Sequence, residues 1–201
     1  MLKGLMARLA HITVVFDALR WVLEAGYTGE RRVIRASGLL ACGRVLDLGC
    51  GTGIFAPLFA PDQYTGVDVN PRYIARARRR CPQHTFLLGD GVRVPLDTAS
   101  CDGCMISGVL HHLSDDAALG LLREAARVVR PGGVLVVWED VQEVAWWNVL
   151  GRALHALDAG AFIRAGRAYE ELVAQVWRIE RTARMRSGLM EYHVMHCVRQ
   201  S

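Results

Sequence analysis

The chain has 201 residues, of which 52% are hydrophobic and 22% charged; this suits one globular domain with a sizeable core and excludes a disordered or low-complexity polymer. Its 24 lysines and arginines against 20 acids leave a formal charge of +4 spread thinly along the length, too mild a bias to mark a nucleic-acid partner. No apolar run is long enough to span a bilayer, since even GVLVVW at 133–138 stops at Glu139 and Asp140, and the six cysteines lack the spacing of a disulfide framework, so the expectation is a cytoplasmic protein with no signal peptide and no transmembrane segment.

In chain order, Leu2, Leu5, Met6, Leu9, Ile12, Phe16, Leu19 and Leu23 recur every three or four residues, which predicts one or two amphipathic helices before Gly26. Beyond Gly43 the short apolar runs RVLDLG, YTGVDV, TFLLGD, CDGCMIS and GVLVVWED alternate with helical stretches and end in small or acidic residues, the rhythm of parallel strands joined by crossover helices. Asn70 and Pro71 supply the cap and first turn of a helix over 72–80. Ser114 or Asp115 caps another over 117–129, which Pro131 and the Gly132-Gly133 pair stop. Residues 144–159 and 169–176 read as further helices, and 178–186 and 191–199 as strands of an antiparallel hairpin turning around Ser187-Gly188.

The turn Gly49-Cys50-Gly51-Thr52-Gly53 closes the first strand and leads into 54–59. Alternate glycines let the backbone take positive φ and approach a ligand without intervening side chains, with its amides presented at a helix N-terminus, and Asp47 at the strand end suits an ammonium group. An amino-acid-bearing cofactor fits that pair. Read from Gly51, the same turn also satisfies the dinucleotide fingerprint, Gly51-x-Gly53-x-x-Ala56, so NAD stays open on this motif. Asp68, about 20 residues on, is placed to accept both ribose hydroxyls of either kind of cofactor; capping the helix after Asn70-Pro71 is its plainer role.

The ordered set VLDLGCGTG, GVDVN, LLGDGVRVPL, CDGCMISGVLHHL and LLREAARVVRPGGVLVV, from about Gly43 to Glu139, resembles the motifs of class I S-adenosylmethionine-dependent methyltransferases, in particular the small-molecule, quinone-biosynthesis-like type 11 branch. The resemblance implies S-adenosyl-L-methionine as cofactor and a small, lipophilic metabolite as methyl acceptor. It places Asp47 and the backbone of Gly49, Gly51 and Gly53 at the methionine part, Asp68 on the ribose and Val69 against the adenine face. Asp90 then accepts from the adenine amine with the Gly91 amide nearby, and Ser107 lines the methionine end. Ser107-Gly108-Val109-Leu110 departs from the Asn or Asp, Pro-Pro and aromatic of enzymes that methylate base amines and protein amides. The fold expected is α/β, a Rossmann-like doubly wound sheet of seven strands, mostly parallel with one antiparallel strand. It forms a single domain over 1–201: a helical cap over 1–42, a cofactor-binding core over 43–139, substrate-lid helices carrying Trp146 and Trp147 over 140–177, and terminal strands over 178–201.

Methyl transfer of this kind needs in-line alignment in a water-poor pocket and, for a phenol, enol or protonated amine, a base near neutrality. His111 and His112 are the candidate catalytic residues, their plainer role being to shape the loop before Ser114. No metal is expected: Cys101 and Cys104 have no second pair and sit at opposite parities of a strand, and His193 and His196, three apart, fall on opposite faces. Arg76, Arg78, Arg79 and Arg80, like Arg164 and Arg167, lack interleaved aromatics and read as solvated helix faces. An RNA methyltransferase, an NAD-dependent oxidoreductase and a cofactor-binding subunit without turnover are the alternatives. No motif specifies oxygen, nitrogen or carbon as the acceptor atom, or an oligomeric state.

Overall fold

A computed structural model describes residues 13–142 and 161–200. Helices α1 (Thr13–Leu23) and α2 (Thr28–Ala36) precede strand β1 (Val45–Leu48), followed by β2 (Tyr64–Asp68), helix α3 (Pro71–Arg80), β3 (Thr85–Leu88) and β4 (Cys101–Ser107). Helix α4 (Asp115–Val128), β5 (Val129–Asp140), helix α5 (Gly166–Val173), β6 (Arg178–Ser187) and β7 (Met190–Val198) complete the order. The strands form one sheet in the order β3-β2-β1-β4-β5-β7-β6. The first five are parallel, and β7 runs antiparallel to both β5 and β6.

Alternation along each strand divides the apolar side chains between two cores. Leu46 and Leu48 of β1 join Cys104, Ile106, Leu135 and Val137 against α4 and α5, while Val45 joins Tyr64, Met105, Val136 and Trp138 against Ile34 of α2 and Ile74 and Ala77 of α3. Burial on both faces explains why β1 reads as an unbroken apolar run around Asp47. The caps fall where the sequence puts them: Asn70 accepts the Arg72 N–H at 2.9 Å and Ser114 the Ala117 N–H at 3.4 Å.

Three elements differ from the sequence expectation. Residues 54–59 hold a single 3₁₀ turn, Ala56–Leu58, because Pro57 sits inside it and Pro61 follows. The glycine turn therefore does not lie at the N-terminus of an α-helix. Strand β5 starts at once after α4: Cys101 pairs with Val129 but Gly103 with Val134, so Arg130-Pro131-Gly132-Gly133 is an irregular stretch within the strand. Arg199 fastens it, accepting the Gly132 N–H at 3.0 Å and donating to the Gly133 carbonyl at 2.9 Å. Helix α5 begins at Gly166, three residues before Tyr169, and 174–177 close as tight turns onto Val173 and its neighbours. The part of the N-terminal helical stretch before Thr13 and the helix expected over 144–159 lie outside the described residues. Among the described residues no helix is long and apolar enough to cross a membrane.

Helix α1 is tied across the glycine turn by one acid. Asp17, 7% exposed, accepts Thr52 Oγ1 at 2.8 Å, Arg76 Nε at 2.7 Å and Arg80 Nη2 at 2.8 Å, and Arg80 Nη1 also donates to the Thr52 carbonyl at 2.9 Å. Arg78 donates to the Phe86 carbonyl at 2.7 Å. Three of the four arginines expected on a solvated face are thus turned to specific partners. Asp17→Asn should weaken the attachment of α1 by about 1–3 kcal/mol, below the figure for a fully buried pair because the two arginines are 24% and 29% exposed. Amide hydrogen exchange should then speed up over 13–23 with β1 unchanged; equal protection of α1 in both proteins refutes this.

Candidate functional site

The C-terminal ends of β1 to β4 open into a cavity of about 390 Å³. Asp47, Gly49, Gly51, Asp68, Val69, Asp90, Gly91, Ser107 and His112 all line it; Gly53 and His111 do not. The three glycines of the turn have different physical reasons. Gly49, at φ +81°, lies so close to the turn after β4 that an added Cβ would stand 2.2 Å from Val109 Cγ2. Gly51, at φ +54°, has nothing within 4 Å of that position, so its missing side chain leaves open space in the cavity. Gly53 packs outward: its Cβ would meet Phe86 Cζ at 3.0 Å and Ala77 Cβ at 3.1 Å.

The acids at the strand ends are held unequally. Asp68 accepts the Gly51 N–H at 2.9 Å and the Asn70 N–H at 2.8 Å, and those two amides partly offset the upward push of burial on its carboxyl. Its role is to join the end of β2 to the glycine turn; the cap of α3 is Asn70. Asp47 receives one strong hydrogen bond, from the Tyr64 hydroxyl at 2.5 Å, while its Oδ1 is buried with no hydrogen-bond partner among the described residues. Burial pushes the Asp47 carboxyl up to about 7 despite that hydroxyl. Asp90 turns its own loop, accepting the Val92 N–H at 3.1 Å.

The two histidines part company. His112 lines the cavity, whereas the His111 side chain is 5% exposed and directs Nδ1 to Glu139 Oε2 at 2.8 Å. Glu139, with 0% exposure, also accepts the backbone N–H groups of Val109 at 2.9 Å and Leu110 at 2.8 Å. Sequence reading took this acid only as the end of an apolar run; its signal was a carboxylate closing a strand buried on both faces. Asp17, Arg20 and Tyr27 also line the cavity, brought there by α1 and the turn before α2, and no motif announced them. Arg164, expected on a solvated face, instead clamps the segment after β4, donating to the Leu110 carbonyl at 2.8 Å and the Leu113 carbonyl at 2.7 Å. The irregular pairing next to Cys101 brings Cys101 and Cys104 into the same core despite their opposite parity. Among the described residues no group of three or more His, Cys, Asp or Glu is arranged to hold a metal ion.

Residues 46–137 match the family model of a methyltransferase domain. The malonyl-[acyl-carrier protein] O-methyltransferase of Serratia marcescens is 41% identical over 95 residues, covering 46% of this chain and 36% of that protein. The demethylmenaquinone methyltransferase of Beutenbergia cavernae is 40% identical over 131 residues, covering 62% of this chain and 52% of that protein. The chain thus spans between about a third and a half of the length of these curated relatives. Among solved structures, human N-acetylserotonin methyltransferase in complex with SAM shares the fold with a TM-score of 0.69 at 21% identity, over 94% of this chain and 55% of that one. Residues 46–137 are thus similar to a methyltransferase domain in sequence and in fold.

The glycines offer a test that separates fold from ligand. Gly49→Ala combines a left-handed backbone with a clash and should cost roughly 2–4 kcal/mol in denaturant unfolding. Gly51→Ala meets open space and should cost only about 1–2 kcal/mol of backbone strain, yet lower S-adenosylhomocysteine affinity at least tenfold. Unchanged affinity in Gly51→Ala contradicts the assignment of that space to a ligand.

Proposed function

We propose that the chain binds S-adenosyl-L-methionine in this cavity and transfers its methyl group to a small, lipophilic metabolite. The observation that carries the reading is the convergence of the open space at Gly51 with two acids of different satisfaction, Asp68 and the orphaned Oδ1 of Asp47. Those residues fit the cofactor: Asp47 and the backbone of Gly49 and Gly51 would hold its methionine part, Asp68 the ribose, and Val69, Asp90 and Gly91 the adenine, with Ser107 at the methionine end. Gly53 supports the turn from behind. When bound, the cofactor supplies an electrophilic methyl on a sulfonium. The chain's own work is to orient the acceptor, to exclude water with Ile54, Phe55, Leu113 and Leu121, and to take a proton at His112, which faces the same space.

The apolar lining supports a lipophilic acceptor, as does the relative named for demethylmenaquinone. Residues 1–42 as a cap agree with the presence of Asp17, Arg20 and Tyr27 at the cavity; the lid over 140–177, within one domain, rests on the sequence pattern. The cytoplasm suits six cysteines that form no disulfide. NAD loses support because its pyrophosphate needs a helix N-terminus after the glycines, and a proline-containing 3₁₀ turn stands there instead. RNA loses support because Arg76 and Arg80 are engaged by Asp17.

Calorimetry with S-adenosylhomocysteine and NAD in parallel tests the reading: the first should bind, and binding of NAD alone would overturn it. Turnover of any methyl acceptor excludes the subunit without activity. The Asp47 carboxyl adds a pH signature. It stays protonated up to about 7 in the free protein, whereas an ammonium brought beside it favours the ionised form. Binding below that pH therefore releases a proton, and affinity rises with pH until about 7 and then levels. Titrations at pH 6 in two buffers of different ionisation enthalpy should report that proton, and Asp47→Asn should abolish it. A proton count of zero in the unmodified protein refutes the contact.

A further inference from the structure

The turn after β4 is built on the two acids that end β5. Glu139 accepts the N–H groups of Val109, Leu110 and, at 3.3 Å, His111, and its Oε2 lies 2.8 Å from His111 Nδ1. Asp140 Oδ2 stands 3.9 Å from Nε2 on the other side of the same ring. The His111 and His112 rings are in contact, with centroids 4.0 Å apart and planes at 48°. Only His112 reaches the cavity.

We propose that Glu139 and Asp140 hold His111 as an imidazolium, and that this buried charge against His112 keeps His112 neutral as the proton acceptor on the cavity side. His111, Glu139 and Asp140 are then positioning residues. A neutral imidazole that donates Nδ1–H to Glu139 turns the Nε2 lone pair toward the Asp140 carboxylate; the protonated ring keeps the bond to Glu139 and sets a positive charge 3.9 Å from Asp140. Burial alone favours the neutral ring, but two opposite charges within about 4 Å outweigh it. Neighbouring elements bring further polar groups up to the pair. On β7, Tyr192 and His193 lie in register with Asp140 and Glu139, His193 being paired with Glu170 at 2.8 Å. On α5, burial and Glu139 both hold the Tyr169 hydroxyl protonated. Arg164 is satisfied by Asp115 at 2.6 Å and by backbone carbonyls.

The role of His112 as base rests on the methyl-transfer reading; the placement of the protons does not. Nitrogen-15 NMR of the histidine rings in the full chain, from pH 5.5 to 9, reads both without an acceptor. His111 should carry protons on both nitrogens to at least pH 8, and His112 should titrate below the ordinary imidazole midpoint of about 6.5. In Glu139→Gln, His111 should be neutral near pH 7 and the His112 midpoint should rise by about one pH unit. Asp140→Asn should move both in the same direction by less, and His111→Gln should raise the His112 midpoint even if Glu139→Gln fails to fold. A neutral His111 at pH 7 in the unmodified protein, or a His112 midpoint unmoved in the folded variants, overturns the proposal. S-adenosylhomocysteine titration of the same samples judges the cofactor reading separately.

Discussion

The winding of the sheet reverses between β1 and β4, and the position of every group in the cavity follows from that reversal. Crossover helix α3 packs on one face and α4 on the other, so no connection covers the mouth between the two strands. The register pairs Asp47 with Met105 and Leu48 with Ile106, so Gly49 and Ser107 leave the sheet side by side. Their turns then meet where Gly49 approaches Val109, and any side chain at 49 would wedge them apart. That contact explains why the glycine at 49 serves the protein's own packing, whereas Gly51 has open space before it.

Parallel strands that end on acids place several carboxylates at one edge, and the donors that each one receives set them apart. Glu139 has backbone amides and an imidazole, and Asp68 has two amides. Asp47 has one hydroxyl and an orphaned oxygen. A hydrogen bond to a charged group contributes about 1.5–3 kcal/mol, so one donor falls short of the several kcal/mol needed to keep a buried carboxylate ionised. Asp47 is accordingly the acid at this edge that its own surroundings leave least supported in the ionised form.

The parts legible in the sequence were those fixed by short-range rules. Strands buried on both faces are apolar runs wherever they occur, and Asn70-Pro71 and Ser114 cap helices by local chemistry. The edge that lines the cavity was legible because glycines and acids recur together at the strand ends. What escaped was set by distant contacts. Arg76 and Arg80 look like a solvated run until α1 delivers Asp17 from 59 and 63 residues away in the chain. Glu139 looks like a strand terminator until the turn after β4 points its amides at it. The parity of Cys101 and Cys104 was read correctly, yet the irregular pairing beside Cys101 cancels it. Only the 3₁₀ turn was within reach, since Pro57 and Pro61 stood in plain view against a helix over 54–59.

Asp17 also gives α1 a thermodynamic connection to the glycine turn. Its carboxylate bonds Thr52 inside the glycine turn and two arginines of α3, while the helix that carries it contributes Arg20 to the cavity. Ordering the glycine turn around a ligand therefore orders α1, and ordering α1 presents the turn in its bound form. Linkage makes the effect reciprocal: whatever free energy a ligand gains from a fixed cap, the cap gains from the ligand.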